Sequence, residues 1–231
     1  RKESSAASDV YKRQIVVFPG VQSLDVSGPL DVFAEANRFL LPAQHYRLEL
    51  IGLTRGAVPC SNGMLLAPQR HYTDAVDVPD LLLAAGGPGL PDIREPDEAL
   101  AWLREACAKA PRYGSICNGV FLLARAGLPP GAVVTTHWND AQTLAARFPD
   151  LQVQADRLYA QDGRLHTSAG VTAGIDLALY LVAQDHGPDV ALNVAKRLVV
   201  FMQRAGGQSQ FSPFLTCLLY TSDAADDSLR V

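Results

Sequence analysis

A short strand that ends in a cysteine corner and runs straight into an apolar helix constrains this chain more than any other feature. The stretch is Arg112-Tyr113-Gly114-Ser115-Ile116-Cys117-Asn118-Gly119-Val120-Phe121-Leu122-Leu123-Ala124. Arg112–Ile116 reads as a strand, Cys117-Asn118-Gly119 as a small-residue turn, and the apolar run after it as a helix. A residue at such a corner is pushed out of the sheet toward solvent by a tight, often strained turn. It also lies at a helix N-terminus, where backbone N–H groups and the macrodipole favour a thiolate. Two readings of Cys117 follow: a thiol prepared for chemistry or sensing, or a small buried thiol packed between strand and helix.

The rest of the chain repeats the alternation of short apolar runs and helical spacing. Strands are expected at Ile15–Phe18, Tyr46–Leu53, Leu81–Ala85, Arg112–Ile116 and Val133–Thr136. Leu81–Ala85 is continuously apolar, as a strand covered on both faces must be. Hairpins are expected around Asn62-Gly63 and Asp162-Gly163. Helices are expected at Pro29–Leu41, Glu98–Ala110, Asn118–Ala126, Trp138–Phe148, Val171–His186 and Pro188–Gln203. This order predicts an α/β domain whose mostly parallel sheet carries helices on both faces.

Both ends read as foreign to that domain. Ser4–Gln14 and Cys217–Asp226 correspond to the two reading directions of a transposon-type sequencing adapter. Residues 1–14 and 217–231 are therefore expected to be read-through. A domain over 15–205 and the start of a linker over 206–216 remain. A length of about 200 residues suits one α/β domain with a proper hydrophobic centre. A net charge of −4 with scattered charges makes this region a poor nucleic-acid binder by itself. Cys60, Cys107 and Cys117 have no metal-ligand spacing and fit a reducing cytoplasm better than a disulfide framework. No metal or cofactor is expected. No apolar run approaches the roughly 18 residues of a membrane span.

In open α/β sheets, sites form at the carboxyl ends of strands, and four segments fall there. Gln22–Pro29 places Asp25 ahead of the first helix. Gly86-Gly87-Pro88-Gly89 follows the buried strand, and its glycines let backbone N–H groups approach an oxyanion. The Cys117 corner is the third, and Thr135-Thr136-His137-Trp138, with His137 at a strand end, is the fourth. Asp25 could equally be a helix-terminal carboxylate, Gly86-Gly87 an ordinary turn, and His137 a structural hydrogen-bonder or helix cap.

Taken together, these blocks resemble the ThiJ/PfpI superfamily, which shares the sheet of the class I glutamine amidotransferases. The resemblance rests on Val16-Val17-Phe18-Pro19-Gly20, Leu24-Asp25-Val26-Ser27-Gly28-Pro29, Gly86-Gly87-Pro88-Gly89, Ile116-Cys117-Asn118-Gly119, Val134-Thr135-Thr136-His137 and Thr167–Asp176. It implies a flavodoxin-like three-layer sandwich with a cysteine nucleophile elbow. Thr136-His137-Trp138, Val190–Val200 and Gly206-Gly207-Gln208-Ser209-Gln210-Phe211-Ser212 resemble the GlxA-type AraC-family regulators most. In those, such a domain precedes a helix-turn-helix DNA-binding domain. The resemblance implies a small-molecule sensor, a homodimer, and DNA contact only through a C-terminal domain missing here.

Isonitrile hydratase is the second relative that the Leu-Asp-X-X-Gly-Pro block and the cysteine corner resemble. That resemblance implies Cys117 as nucleophile, Asp25 as acid/base partner and His137 as an assistant. Backbone N–H groups of Gly87 and Asn118 would then hold the developing negative charge. The enzyme carries threonine where Asn118 stands. The protease branch carries histidine there, so peptidase activity is not expected.

Overall fold

The computed structural model describes residues 11–74, 77–94, 96–200 and 204–210. Its seven-stranded sheet has the order β10-β11-β7-β6-β1-β2-β5. The members are β1 (Tyr11–Val17), β2 (Tyr46–Gly52), β5 (Arg70–His71), β6 (Leu81–Ala84), β7 (Arg112–Ile116), β10 (Tyr159–Asp162) and β11 (Leu165–Ser168). Every neighbouring pair is parallel except β10–β11, a hairpin around Asp162-Gly163. A small hairpin of β3 (Val58–Pro59) and β4 (Leu65–Leu66) turns at Asn62-Gly63. A further parallel pair joins β8 (Val133–Val134) to β9 (Gln152–Val153). The helices are α1 (Ser23–Ala36), α2 (Asp97–Lys109), α3 (Val120–Ala126), α4 (Trp138–Arg147), α5 (Thr172–His186) and α6 (Pro188–Arg197). The expected mostly parallel α/β sandwich is what forms.

Leu81–Ala84 is fully buried because β6 is sandwiched between β1 and β7 with side chains on both faces in the core. Ile15, Val16 and Val17 of the neighbouring β1, and Phe18 just after it, are buried in the same way. Such a strand leaves its C-terminal end as the place where chain and side chains can diverge toward a site.

Of the boundaries that differ from the sequence reading, three have consequences for packing. Strand β1 begins at Tyr11, four residues before the expected start of the domain. Tyr11–Gln14 pair with Tyr46–Glu49, and the buried Arg13 side chain meets Asp185 at 2.5 Å. Strand pairing uses backbone groups that every non-proline residue carries, so these residues extend β1 whatever their origin. The other residues expected to be read-through, and residues 211–216 of the expected linker, lie outside the described residues.

Helix α1 begins at Ser23, not Pro29, and carries Pro29 inside it. Gly28 and Pro29 read as a break, yet they are the contact with α5. A Cβ on Gly28 would come within 3.0 Å of Ile175 Cγ1, so the pair is kept for close helix packing. Helix α6 ends at Arg197, short of Gln203, and two residues on Val199 turns to φ +55, outside the right-handed helical region. Residues 201–203 lie outside the described residues.

Candidate functional site

The carboxyl ends of β1, β6, β7 and β11 converge on one small volume. β1 leads to α1, whose first turn carries Asp25. β6 leads to Gly86 and Gly87, β7 to Cys117, and β11 to Gly170 and Val171. Cys117 opens a single turn of 3-10 helix over Cys117–Gly119 that continues into α3. Its φ is +58, the strained conformation expected of an elbow. Gly170 backs it so closely that a Cβ there would lie 2.1 Å from Cys117 Cβ. A Cβ on Gly86 would lie 2.8 Å from the same atom.

Val171 is a second strained residue beside the first, with φ +51 and ψ −117. Positive φ is an outlier for a β-branched side chain. The strain has a use, since it aims the Val171 N–H at Asp25 Oδ1, 2.7 Å away. The other oxygen, Oδ2, is buried without a hydrogen-bond partner. Asp25 itself is wholly buried.

Burial pushes the Asp25 carboxyl up to about 6, while the Val171 and Gly86 N–H groups and the Cys117 thiol pull it back. Burial also pushes the Cys117 thiol well above its ordinary value of 9.0, and the Asp25 charge pushes it further. The Asn118 N–H works against both. The expectation of a helix N-terminus favouring a thiolate is therefore corrected. One 3-10 turn of N–H groups does not offset loss of water together with a facing carboxylate. Cys117 is 7% exposed, so it is not lifted into solvent either.

Asn118 does more than follow the cysteine. Its Oδ1 accepts the Gly87 N–H at 2.8 Å, and its Nδ2 donates to Gly87 O at 3.0 Å and to Asp140 Oδ2 at 2.9 Å. One donor and two acceptors fix which end of the carboxamide is which. The Gly87 N–H, expected to hold developing negative charge, is thus already committed to a side chain of the same chain. The Asn118 N–H faces the Cys117 sulfur.

His137 lies half-buried at the start of α4 and serves as its N-cap, its Nδ1 accepting the Asn139 N–H at 3.3 Å. Burial lowers its pKa and the Asp140 charge opposes this. Among the described residues no hydrogen bond joins it to Cys117 or Asp25. Its neighbour Thr136 makes the link instead, donating its hydroxyl to the Cys117 carbonyl at 3.2 Å.

The structure thus brings Asp25, Gly87, Cys117 and Asn118 together and places His137 to one side as a cap. Sequence reasoning missed Gly170, Val171, Asp140 and Thr136. The run Ser168-Ala169-Gly170-Val171 offered one signal, a glycine after a strand. Nothing in the residue types of Val171 or Asp140 marks them. Clefts of about 420 and 290 Å3 lie away from the elbow, lined by residues such as Arg94 with Arg147 and Cys107 with Arg164. Among the described residues no group of three or more His, Cys, Asp or Glu is placed to hold a metal ion. No helix there is long and apolar enough to cross a membrane.

An α/β sheet with a strained cysteine elbow facing a buried carboxylate defines the class. The chain belongs to the DJ-1/PfpI family, whose pattern matches residues 12–184. It is 35% identical over 185 residues to the isonitrile hydratase of Pseudomonas putida, covering 79% of this chain and 75% of that one. It is 33% identical over 186 residues to the HTH-type transcriptional regulator CdhR of Pseudomonas aeruginosa, covering 80% of this chain and 54% of the regulator. The chain therefore spans about half of that regulator's length. A solved ThiJ/PfpI family protein from Pseudomonas syringae superposes with a TM-score of 0.73 at 24% identity, covering 84% of this chain and 77% of the other. The relatives thus include both an enzyme and a helix-turn-helix regulator, the two branches that the motifs resemble.

Proposed function

We propose that this domain is the ligand-sensing part of an AraC-type helix-turn-helix regulator, and that the Cys117 site binds a small molecule without turning it over. One observation carries this reading: the Gly87 N–H is bonded to Asn118 Oδ1. Attack by Cys117 on an isonitrile or carbonyl carbon places negative charge beside the elbow, and preorganised donors must be open to receive it. Here one of the two expected donors, the Gly87 N–H, is taken. The thiol is also held in its neutral form by burial and by Asp25, whereas the thiolate is the nucleophile.

On this reading Asp25, Asn118 and Cys117 form the floor of the binding site. Cys117 contacts the ligand as a neutral thiol. Binding would shift a homodimer between two arrangements. DNA contact belongs to a further domain, as in the regulators.

A second reading is favoured by the approach of Asp25 to Cys117, which suits acid/base assistance to a nucleophile. The two are separated by incubating the protein with an alkyl isonitrile and following the N-alkyl formamide that hydration would give. The sensor reading expects no product above the rate of a Cys117→Ser variant. Formamide that accumulates with many turnovers in the wild type and is lost in Cys117→Ser overturns it.

A further inference from the structure

The segment Arg204–Gln210 crosses the surface beside the elbow and is tied to both of its walls. At one end the Arg204 side chain and backbone grip Asp176 through three hydrogen bonds of 2.6–3.1 Å. Arg204 also donates to Thr172 Oγ1 at 3.0 Å. Thr172 is the residue after the strained Val171 that holds Asp25. At the other end Gln210 accepts the Trp138 N–H at 3.0 Å and donates to the carbonyls of Thr136 at 2.9 Å and Ala155 at 2.8 Å. Thr136 is the residue whose hydroxyl holds the Cys117 carbonyl. Between the two ends, Leu158 N–H bonds Gly206 O and Gln208 O, and Arg157 bridges to Ser209.

We infer that Gln210 is a positioning residue for the Cys117 site, and that the Arg204–Gln210 strap carries a change at that site to the chain beyond residue 210. The inference rests on the ligand-sensing reading. Cys117 and Val171 hold sparsely populated backbone conformations that persist only while their surroundings over-determine them. The strap supplies part of that surrounding, one residue from each. A group that enters between Asp25 and Cys117 moves one or both walls, and the strap cannot keep both sets of bonds if the walls move apart. Coupling on this proposal requires two arrangements of the strap, one with both sets of bonds made and one with a set released. Coupling is reciprocal, so loosening the strap must alter the site as much as filling the site alters the strap.

Both directions are measurable on the chain as it stands. Iodoacetamide alkylation of Cys117, read on its peptide by mass spectrometry across pH, is compared for the wild type and Gln210→Ala. Gln210→Glu is the second variant, since it keeps the acceptor for Trp138 N–H and loses the donors to Thr136 and Ala155. The expected result is a change of at least about fivefold in the alkylation rate, at each pH, in both Gln210→Ala and Gln210→Glu. In the wild type, prior alkylation is expected to speed hydrogen exchange at the Trp138 and Leu158 amides. A purely structural role gives a lower melting temperature with alkylation rate and exchange unchanged, and that result overturns the inference. Formamide production by the wild type would instead overturn the sensor reading and leave the coupling standing.

Discussion

Gly170→Ala is expected to destabilise the domain by about 3 kcal/mol or more, the largest loss from adding a single methyl group at the site. Two effects add. Gly170 has φ +84, which costs an L side chain about 1–2 kcal/mol. The new Cβ would also lie 2.1 Å from Cys117 Cβ and 2.5 Å from Cys117 Cα. Those atoms belong to a strained backbone that cannot move without breaking the elbow, so relief by a side-chain shift is closed off. Urea denaturation of the wild type and the variant measures the difference. A loss under 1 kcal/mol would show that the elbow and the Gly170 turn do not pack as described.

The second large effect is the pH dependence set by Asp25. Its carboxyl titrates at about 6 in the folded chain against an ordinary 3.8. Between these values the folded state holds a proton that the unfolded chain has released, so stability falls as pH rises through the window. At about 1.36 kcal/mol per unit, a buried Asp25 costs the fold roughly 3 kcal/mol by pH 7. Below pH 4 the cost is absent. Asp25→Asn keeps an oxygen for the Val171 N–H and removes the charge. The variant is therefore expected to gain stability relative to the wild type at pH 7.5 and little at pH 4.5. His166, held low at about 4 by burial, adds a slope of opposite sign, because an unfolded histidine takes up a proton first as pH falls. It is common to both proteins and cancels in the comparison. An Asp25→Asn difference that does not vary between the two pH values would contradict a desolvated carboxyl at this position.

Both effects centre on residues of unequal visibility in the sequence. The sheet was readable because β6 and the Ile15–Val17 end of β1 are continuous apolar runs that only a doubly covered strand requires. Cys117 was readable because a strand, a small-residue turn and a helix lie consecutively in the chain. Asp25 and Gly87 followed from the rule that sites gather at strand ends, and all three do meet. The start of α1 was misjudged because Gly28-Pro29 looks like a break locally and acts as a helix contact only once Ile175 is present. Thiol acidity was misjudged because an N-terminal helix position is a local property, whereas burial and the Asp25 charge arrive from elsewhere in the chain. Asn118 was seen as a departure from relatives, but its grip on Gly87 and Asp140 depends on three segments closing together. Val171 carries no sign at all, since its residue type disfavours the backbone it adopts.

The account turns on Cys117 being a neutral, enclosed thiol on the floor of a binding site. The pH dependence of Cys117 alkylation by iodoacetamide tests that most directly. The expected profile is still rising about tenfold per pH unit at pH 9, where a thiol at its ordinary value of 9.0 is already bending toward a plateau. A rate that has already reached its plateau below about pH 8 would mean a thiolate at neutral pH and would contradict the sensor in favour of a nucleophile.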